Sequence, residues 1–281
     1  MGKPKACCGC DYAQKCDRQR NRFTKEEEIN DIISSAKEMN KFYKCKILNN
    51  KESIEIIASA LLGKFSKLNK VVDGVTIRDT FNANHDGKTA SKDDFSEDLL
   101  GIALRNEERN FDFGKIFDYQ VPFTKPPIIG PIDLVAVDGV IIKLIELKAP
   151  DSVETLLRCI LEIYTYYKIL IRAKKKFISE YEKDLPQEHE YSFHPLILVG
   201  EHSAAGEELS KIEDYHALKI LIGKLEAELD EPFEFYVYNY DGDKMLKEGP
   251  RDNKDRDRGK RFLCGKFTAR VINIFPEENG R

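Results

Sequence analysis

Gly130-Pro131-Ile132-Asp133-Leu134-Val135-Ala136-Val137, then Asp138-Gly139, then Val140-Ile141-Ile142-Lys143-Leu144-Ile145-Glu146-Leu147-Lys148 is the stretch from which the architecture can be built. Asp-Gly between two apolar, β-branched runs is the strongest short-range signal for a two-residue hairpin turn. Such a turn makes Val137 and Val140 cross-strand neighbours. It sets Asp133 against Leu144 and leaves Glu146 as the diagonal neighbour on the same face, roughly 5–8 Å away. Lys148, two residues further on, points the same way. One face of the hairpin then reads Asp133, Val135, Val137, Leu144, Glu146, Lys148. The other reads Ile132, Leu134, Ala136, Ile141, Lys143, Ile145, Leu147. Three charges converge at one end of an otherwise apolar face.

Unpaired buried charges are costly, so this cluster must be salt-bridged, solvated or bound to a cation. Two neighbouring carboxylates repel unless something positive lies between them. Mg²⁺ or Mn²⁺ suits that place, because hard cations take carboxylate oxygens together with waters and phosphates. Water on such an ion becomes a nucleophile at neutral pH.

With Asp133 on one strand and the acid-x-lysine triplet Glu146-Leu147-Lys148 on the next, the chain resembles the PD-(D/E)xK nuclease superfamily. The proline-aspartate pair of that signature is loosened here to Pro131-Ile132-Asp133. The resemblance implies an α/β fold with a restriction-endonuclease-like αβββαβ core, a mixed central sheet flanked by helices, and the flanks read accordingly. Residues 91–109 form a helical pattern with Leu99, Leu100, Ala103 and Leu104 in register and Glu97 near its start. Residues 116–123 read as the first strand, stopped by Pro126 and Pro127. Residues 152–175 read as a long helix with Leu156, Leu157, Ile160, Ile163, Tyr164 and Tyr167 near one face. Residues 195–200 read as the closing strand and 233–240 as a further one. The resemblance covers roughly residues 91–200. Glu162 with Tyr166 stands where the RecB-like branch of the superfamily carries a glutamine and, four residues later, a tyrosine.

The resemblance also implies roles. Asp133, Glu146 and the Leu147 main-chain carbonyl would hold Mg²⁺ or Mn²⁺, and Glu97 would position a second metal or a water. Glu107 and Glu108 are weaker substitutes for Glu97. Lys148 would act either by helping to deprotonate the attacking water, since a partly buried lysine loses its proton readily, or purely electrostatically, since the flanking acids oppose that loss. The expected activity is metal-dependent hydrolysis of nucleic-acid phosphodiesters, with DNA as the substrate. The alternative is a catalytically inactive fold of this type that binds nucleic acid or serves as an assembly module, its charged triad salt-bridged.

Composition agrees with a globular chain carrying an appendage: 281 residues, 41% of them hydrophobic, can bury one substantial core. A net charge of −4 argues against a nucleic-acid coat protein but leaves room for a local basic surface. Candidates for that surface are Arg158, Lys168, Arg172, Lys174, Lys175 and Lys176, and the loop 251–261. No segment is long and apolar enough to span a membrane, and Met1-Gly2-Lys3-Pro4-Lys5 lacks a secretion signal's apolar region, so a cytoplasmic setting is expected.

The chain divides into a Cys-rich tail (1–23), a helical appendage (24–72), a linker rich in Gly, Asn, Asp and Thr (73–90), the nuclease-like core (91–245) and a charged C-terminal segment (246–281). Four of the seven cysteines, Cys7, Cys8, Cys10 and Cys16, lie within ten residues. In a reducing compartment such density suits zinc or an iron–sulfur cluster, although the spacing matches no standard pattern, and a free thiol-bearing tail is the other reading. Thr24-Lys25-Glu26-Glu27 forms a capping box opening a helix with an Ile29, Ile32, Ile33, Ala36 stripe, and residues 52–69 read as a second helix. These faces suit a protein partner or the core. Among the histidines only His85, just ahead of the Glu97 helix, lies where a ligand could be recruited.

Overall fold

The computed structural model describes residues 54–66, 76–81, 97–107, 109–124, 130–186, 190–240 and 267–275. The cysteine cluster, the capping-box helix, His85 and the loop 251–261 lie outside the described residues.

The hairpin forms from β3 (Ile132–Asp138) and β4 (Ile141–Lys148), one turn position later than the Asp-Gly signal suggests. Asp138 pairs with Ile141, Val137 with Ile142, Val135 with Leu144 and Leu134 with Ile145. The two turn residues are therefore Gly139 and Val140, and the register moves by two. Gly139 has φ +58 while Val140 keeps a negative φ. A glycine at the first central position allows that turn, and Asp138 is freed to add a last ladder pair. A shift of two preserves which side chains share a face, whereas a shift of one would have reversed them all. Asp133 thus comes to lie opposite Glu146 rather than Leu144.

Around this pair a seven-stranded mixed sheet is ordered β1 to β7 as in the chain. Residues Asn110–Phe111 (β1) and Gly114–Val121 (β2) continue the antiparallel side. Ser192–Gly200 (β5) and Glu234–Tyr240 (β6) run parallel to β4, and Phe267–Val271 (β7) closes the far edge antiparallel. The strand expected at 116–123 lies two residues earlier. A bulge at Phe117 changes the register from Ile116 opposite Ala136 to Asp118 opposite Val135. Beyond it Tyr119 pairs with Leu134 and Val121 with Ile132, so Gln120 sits across from Asp133.

Helices cover both faces. The helix α2 (Glu97–Asn106) buries Leu100, Ala103 and Leu104 against Leu134, Ala136, Ile145 and Leu147. The opposite face carries α3 (Leu156–Leu170), α4 (Lys174–Glu180), α5 (Ala204–Ser210) and α6 (His216–Leu229), with α1 (Ile54–Gly63) packed on α6. The α3 and α6 connections are the crossovers that parallel strands require. Enclosed between the sheet, α5 and α6, α3 buries nearly every side chain rather than one stripe. Fully burying each Leu or Ile is worth about 1.5–3 kcal/mol, which makes α3 a large contributor to the core.

The expected helix over 152–175 is shorter and divided. Thr155 adopts extended φ/ψ and caps α3 through its side chain, which accepts from Arg158 N–H at 3.4 Å, so residues 152–154 stay outside the helix. Glu208 adds a carboxylate at the same end, accepting from Leu156 N–H at 2.7 Å. A 3₁₀ turn, Ile171–Ala173, separates α3 from α4. The helix expected over 52–69 is described as Ile54–Gly63. No helix among the described residues is long and apolar enough to cross a membrane.

Close backbone packing holds the strand end that carries Lys148. A Cβ at Gly200 would lie 2.5 Å from Pro150 Cα, and the following loop is fastened by Ala204 N–H donating to Ser152 carbonyl at 2.8 Å. Gly200→Ala is accordingly expected to cost about 1–3 kcal/mol through overpacking. A urea midpoint lowered at constant m would show it.

Candidate functional site

Four elements, β3, β4, α2 and α3 with the segment entering it, bring charge to the C-terminal end of β4. Strand alternation in β3 and β4 aims Asp133, Glu146 and Lys148 at one point. The first residue of α2 brings Glu97, and the segment entering α3, with its first two turns, brings Glu154, Arg158 and Glu162.

Lys148 is 3% exposed and stands at the centre. Its Nζ lies 2.5 Å from Glu146 Oε1, 2.9 Å from Glu154 Oε2, 3.3 Å from Glu162 Oε2 and 3.7 Å from Glu97 Oε2. Its carbonyl accepts from Tyr238 Oη at 2.7 Å, which pins the strand end to β6. Asp133 is held at both oxygens: Oδ2 accepts from Leu147 N–H at 2.9 Å and Oδ1 from Gln120 Nε2 at 3.0 Å. In an extended strand a residue's N–H and C=O point to the same side, so the Leu147 carbonyl also faces the Asp133 side. Glu97 Oε1 accepts from Ala149 N–H at 3.4 Å.

Asp133, Glu146, Lys148 and Glu97 are thus gathered in one place. Glu107 is elsewhere, 3.6 Å from Arg109. Arg158 is no surface cation: it turns inward, with Nη1 2.6 Å from Glu154 Oε1 and Nε 3.4 Å from Glu162 Oε1. Lys168 is paired at 2.8 Å with Glu228. His194 lies near the start of β5, its Nε2 3.2 Å from Glu231. Sequence reasoning missed Glu154 and Arg158 as members of the site and read Glu162 only as a departure from a family pattern. Their signal was an acid–base–acid ladder at spacing four. That pattern usually marks a solvated helix face, and nothing local says that this one is covered by the end of β4.

Burial dominates the electrostatics. It raises Asp133 to about 7 against the pull of Lys148, and raises Glu97. Glu146 is pushed well above the usual carboxylate range by burial, then by Asp133 and Glu162. Burial would raise Glu162 too, but Lys148, the Glu146 carboxyl and Arg158 outweigh it and bring it to about 2. Burial likewise disfavours charge on Lys148, yet Glu146, Glu162, Glu97 and Glu154 together hold its pKa well above that of a free lysine. Of the two roles open to Lys148, this arrangement favours the electrostatic one.

The donor set can be tested against a hard divalent cation. Five carboxylates face one ammonium and one guanidinium, a surplus of negative charge when all are ionised. Glu146 Oε2 is buried and receives no N–H or hydroxyl donor among the described residues, and the Glu146 and Glu162 carboxyls meet in a side-chain hydrogen bond of their own. As the side chains stand, no three His, Cys, Asp or Glu among the described residues converge on one ion position, because the ammonium fills the centre. Two carboxylates and a main-chain carbonyl, from Asp133, Glu146 and Leu147, need no third side chain. With oxygen donors only, they suit Mg²⁺ or Mn²⁺. Compared with protein-family models, curated proteins and solved structures, the chain finds no match.

Proposed function

We propose that this chain is a divalent-metal-dependent nuclease with a restriction-endonuclease-like core, hydrolysing phosphodiester bonds of nucleic acid, with DNA as the substrate. The observation that carries the reading is the gathering of Asp133, Glu97, Glu146, Glu154 and Glu162 at the end of β4 around the buried Lys148, more carboxylates than the two cations beside them require. Asp133, Glu146 and the Leu147 carbonyl would hold Mg²⁺ or Mn²⁺, and Glu97 would orient a water or a second ion. When bound, the cation supplies Lewis-acid polarisation of the phosphate and activation of water. Lys148, kept protonated by its neighbours, contributes positive charge to the phosphate as negative charge builds on it. Arg158, fixed between Glu154 and Glu162, is a second cation beside the same point.

A catalytically inactive, nucleic-acid-binding or assembly module is the second reading. The observation favouring it is that Lys148 already fills the centre as an internal counter-ion. The cysteines Cys7, Cys8, Cys10 and Cys16 are proposed separately as ligands for Zn²⁺ or an iron–sulfur cluster, which metal analysis of the purified chain would reveal.

Supercoiled plasmid, labelled single-stranded DNA and RNA, each with Mn²⁺, Mg²⁺ or EDTA, test the first reading. Cleavage is expected with either metal, absent in EDTA, and reduced to background in Glu146→Gln. No cleavage of any substrate by folded wild type would transfer the case to the binding module.

A further inference from the structure

Among the described residues, two that are not glycine have positive φ: Asp230 and Gln120. Asp230 is the left-handed residue ending α6, an ordinary helix stop. Gln120 is not at a chain reversal. It lies inside β2 with φ +47, between the ladder pairs Tyr119–Leu134 and Val121–Ile132. A residue bearing a Cβ is disfavoured there, and such strain persists only where the surroundings enforce it.

The strained residue is the one that reaches the site. Gln120 Nε2 donates to Asp133 Oδ1 at 3.0 Å, directly across the strand pair. The other carboxylate oxygen is taken by Leu147 N–H at 2.9 Å. One donor on each oxygen fixes the rotation of the carboxylate and leaves lone pairs on both oxygens for a further partner. A neutral amide does this without adding charge. A lysine at this position would compete with a cation, and a glutamate would repel Asp133.

We infer that Gln120 is a positioning residue: its left-handed backbone turns the amide onto Asp133 and pre-orients that carboxylate for a divalent cation. The inference rests on the reading of Asp133 as a cation ligand. Losing an outer partner of a metal-ligating group typically weakens binding about 10- to 100-fold. Gln120→Gly separates the two contributions, since glycine accepts φ +47 without strain but has no amide.

The test uses the full chain and Mn²⁺ alone as the probe, titrated calorimetrically against wild type, Gln120→Gly and Asp133→Asn, with thermal midpoints in EDTA. The binding at issue is the component that Asp133→Asn removes. Gln120→Gly is expected to weaken that component about 10- to 100-fold, with a midpoint equal to or above that of wild type. Binding unchanged in Gln120→Gly overturns the inference while leaving the cation site standing. Weak binding together with a lowered midpoint overturns it as well, because a merely structural role would then account for both. Wild type lacking an Asp133-dependent component overturns the reading of the site, and the inference with it.

Discussion

Lys148→Ala is expected to lose about 3–5 kcal/mol of stability in metal-free buffer as well as all metal-dependent cleavage. Removing one partner of a buried ion pair costs that much because the other is left as an uncompensated buried charge. Here Glu162, nearly inaccessible to water and held ionised with a pKa of about 2, would lose the ammonium that lies 3.3 Å from it. For a chain of this size such a loss lowers the thermal midpoint by roughly 6–20 °C, at about 2–4 °C per kcal/mol. Two controls identify the cause. Combining Lys148→Met with Glu162→Gln is expected to recover much of the loss, since the ionised carboxylate left without its counter-charge is then gone as well. Saturating Mn²⁺ is expected to raise the midpoint of Lys148→Ala more than that of wild type, because the ion then supplies the missing charge as well as binding energy. Urea midpoints at constant m measure all three. A loss under about 1 kcal/mol would mean that water or protonation already neutralises the cluster.

Asp133→Asn is expected to do the reverse for stability: abolish Mn²⁺ binding and cleavage, yet raise the midpoint in EDTA at neutral pH. The carboxyl of Asp133 is raised by burial from 3.8 to about 7. Between those values the folded chain holds a proton that the unfolded chain has released, so its contribution to stability is complete below pH 3.8 and is lost as pH rises to about 7. Asparagine retains an acceptor for Leu147 N–H and can meet Gln120 through a flipped amide, without the charge. The gain of the variant over wild type should therefore grow from pH 4 to pH 7. Thermal scans across that range check it, and a gain independent of pH would remove Asp133 as its source. The same raised pKa values make cation binding release protons, so Mn²⁺ affinity should climb as pH rises through 7. A stabilised but inactive variant is the signature of a carboxylate kept for function.

Much of this arrangement was legible along the chain. Period-two alternation in 132–138 and 141–148 is a property of the extended backbone, so Asp133, Glu146 and Lys148 had to share a face wherever the turn lay. The turn itself was misplaced by one position, because Asp-Gly does not reveal which of its residues Gly139's positive φ will serve. Glu97 was reached only through the family resemblance, and its place near Lys148 depends on how α2 lies across the sheet. The N-terminus of α3 shows the same limit. Residues 152–154 have no helix-breaking pattern strong enough to predict their exclusion, while Thr155 and Glu208, 53 positions apart in the chain, supply the caps that set the first turn.

The sequence by itself determined the hairpin, the face carrying the three charges and the apolar strands that bury it, since these follow from backbone periodicity and local turn chemistry. Only the tertiary structure decided that Glu97, Glu154, Arg158 and Glu162 surround Lys148, that Arg158 turns inward, and that Lys148 keeps its proton. Those outcomes depend on distances between groups far apart in the chain, and on burial that strengthens every charge interaction within it.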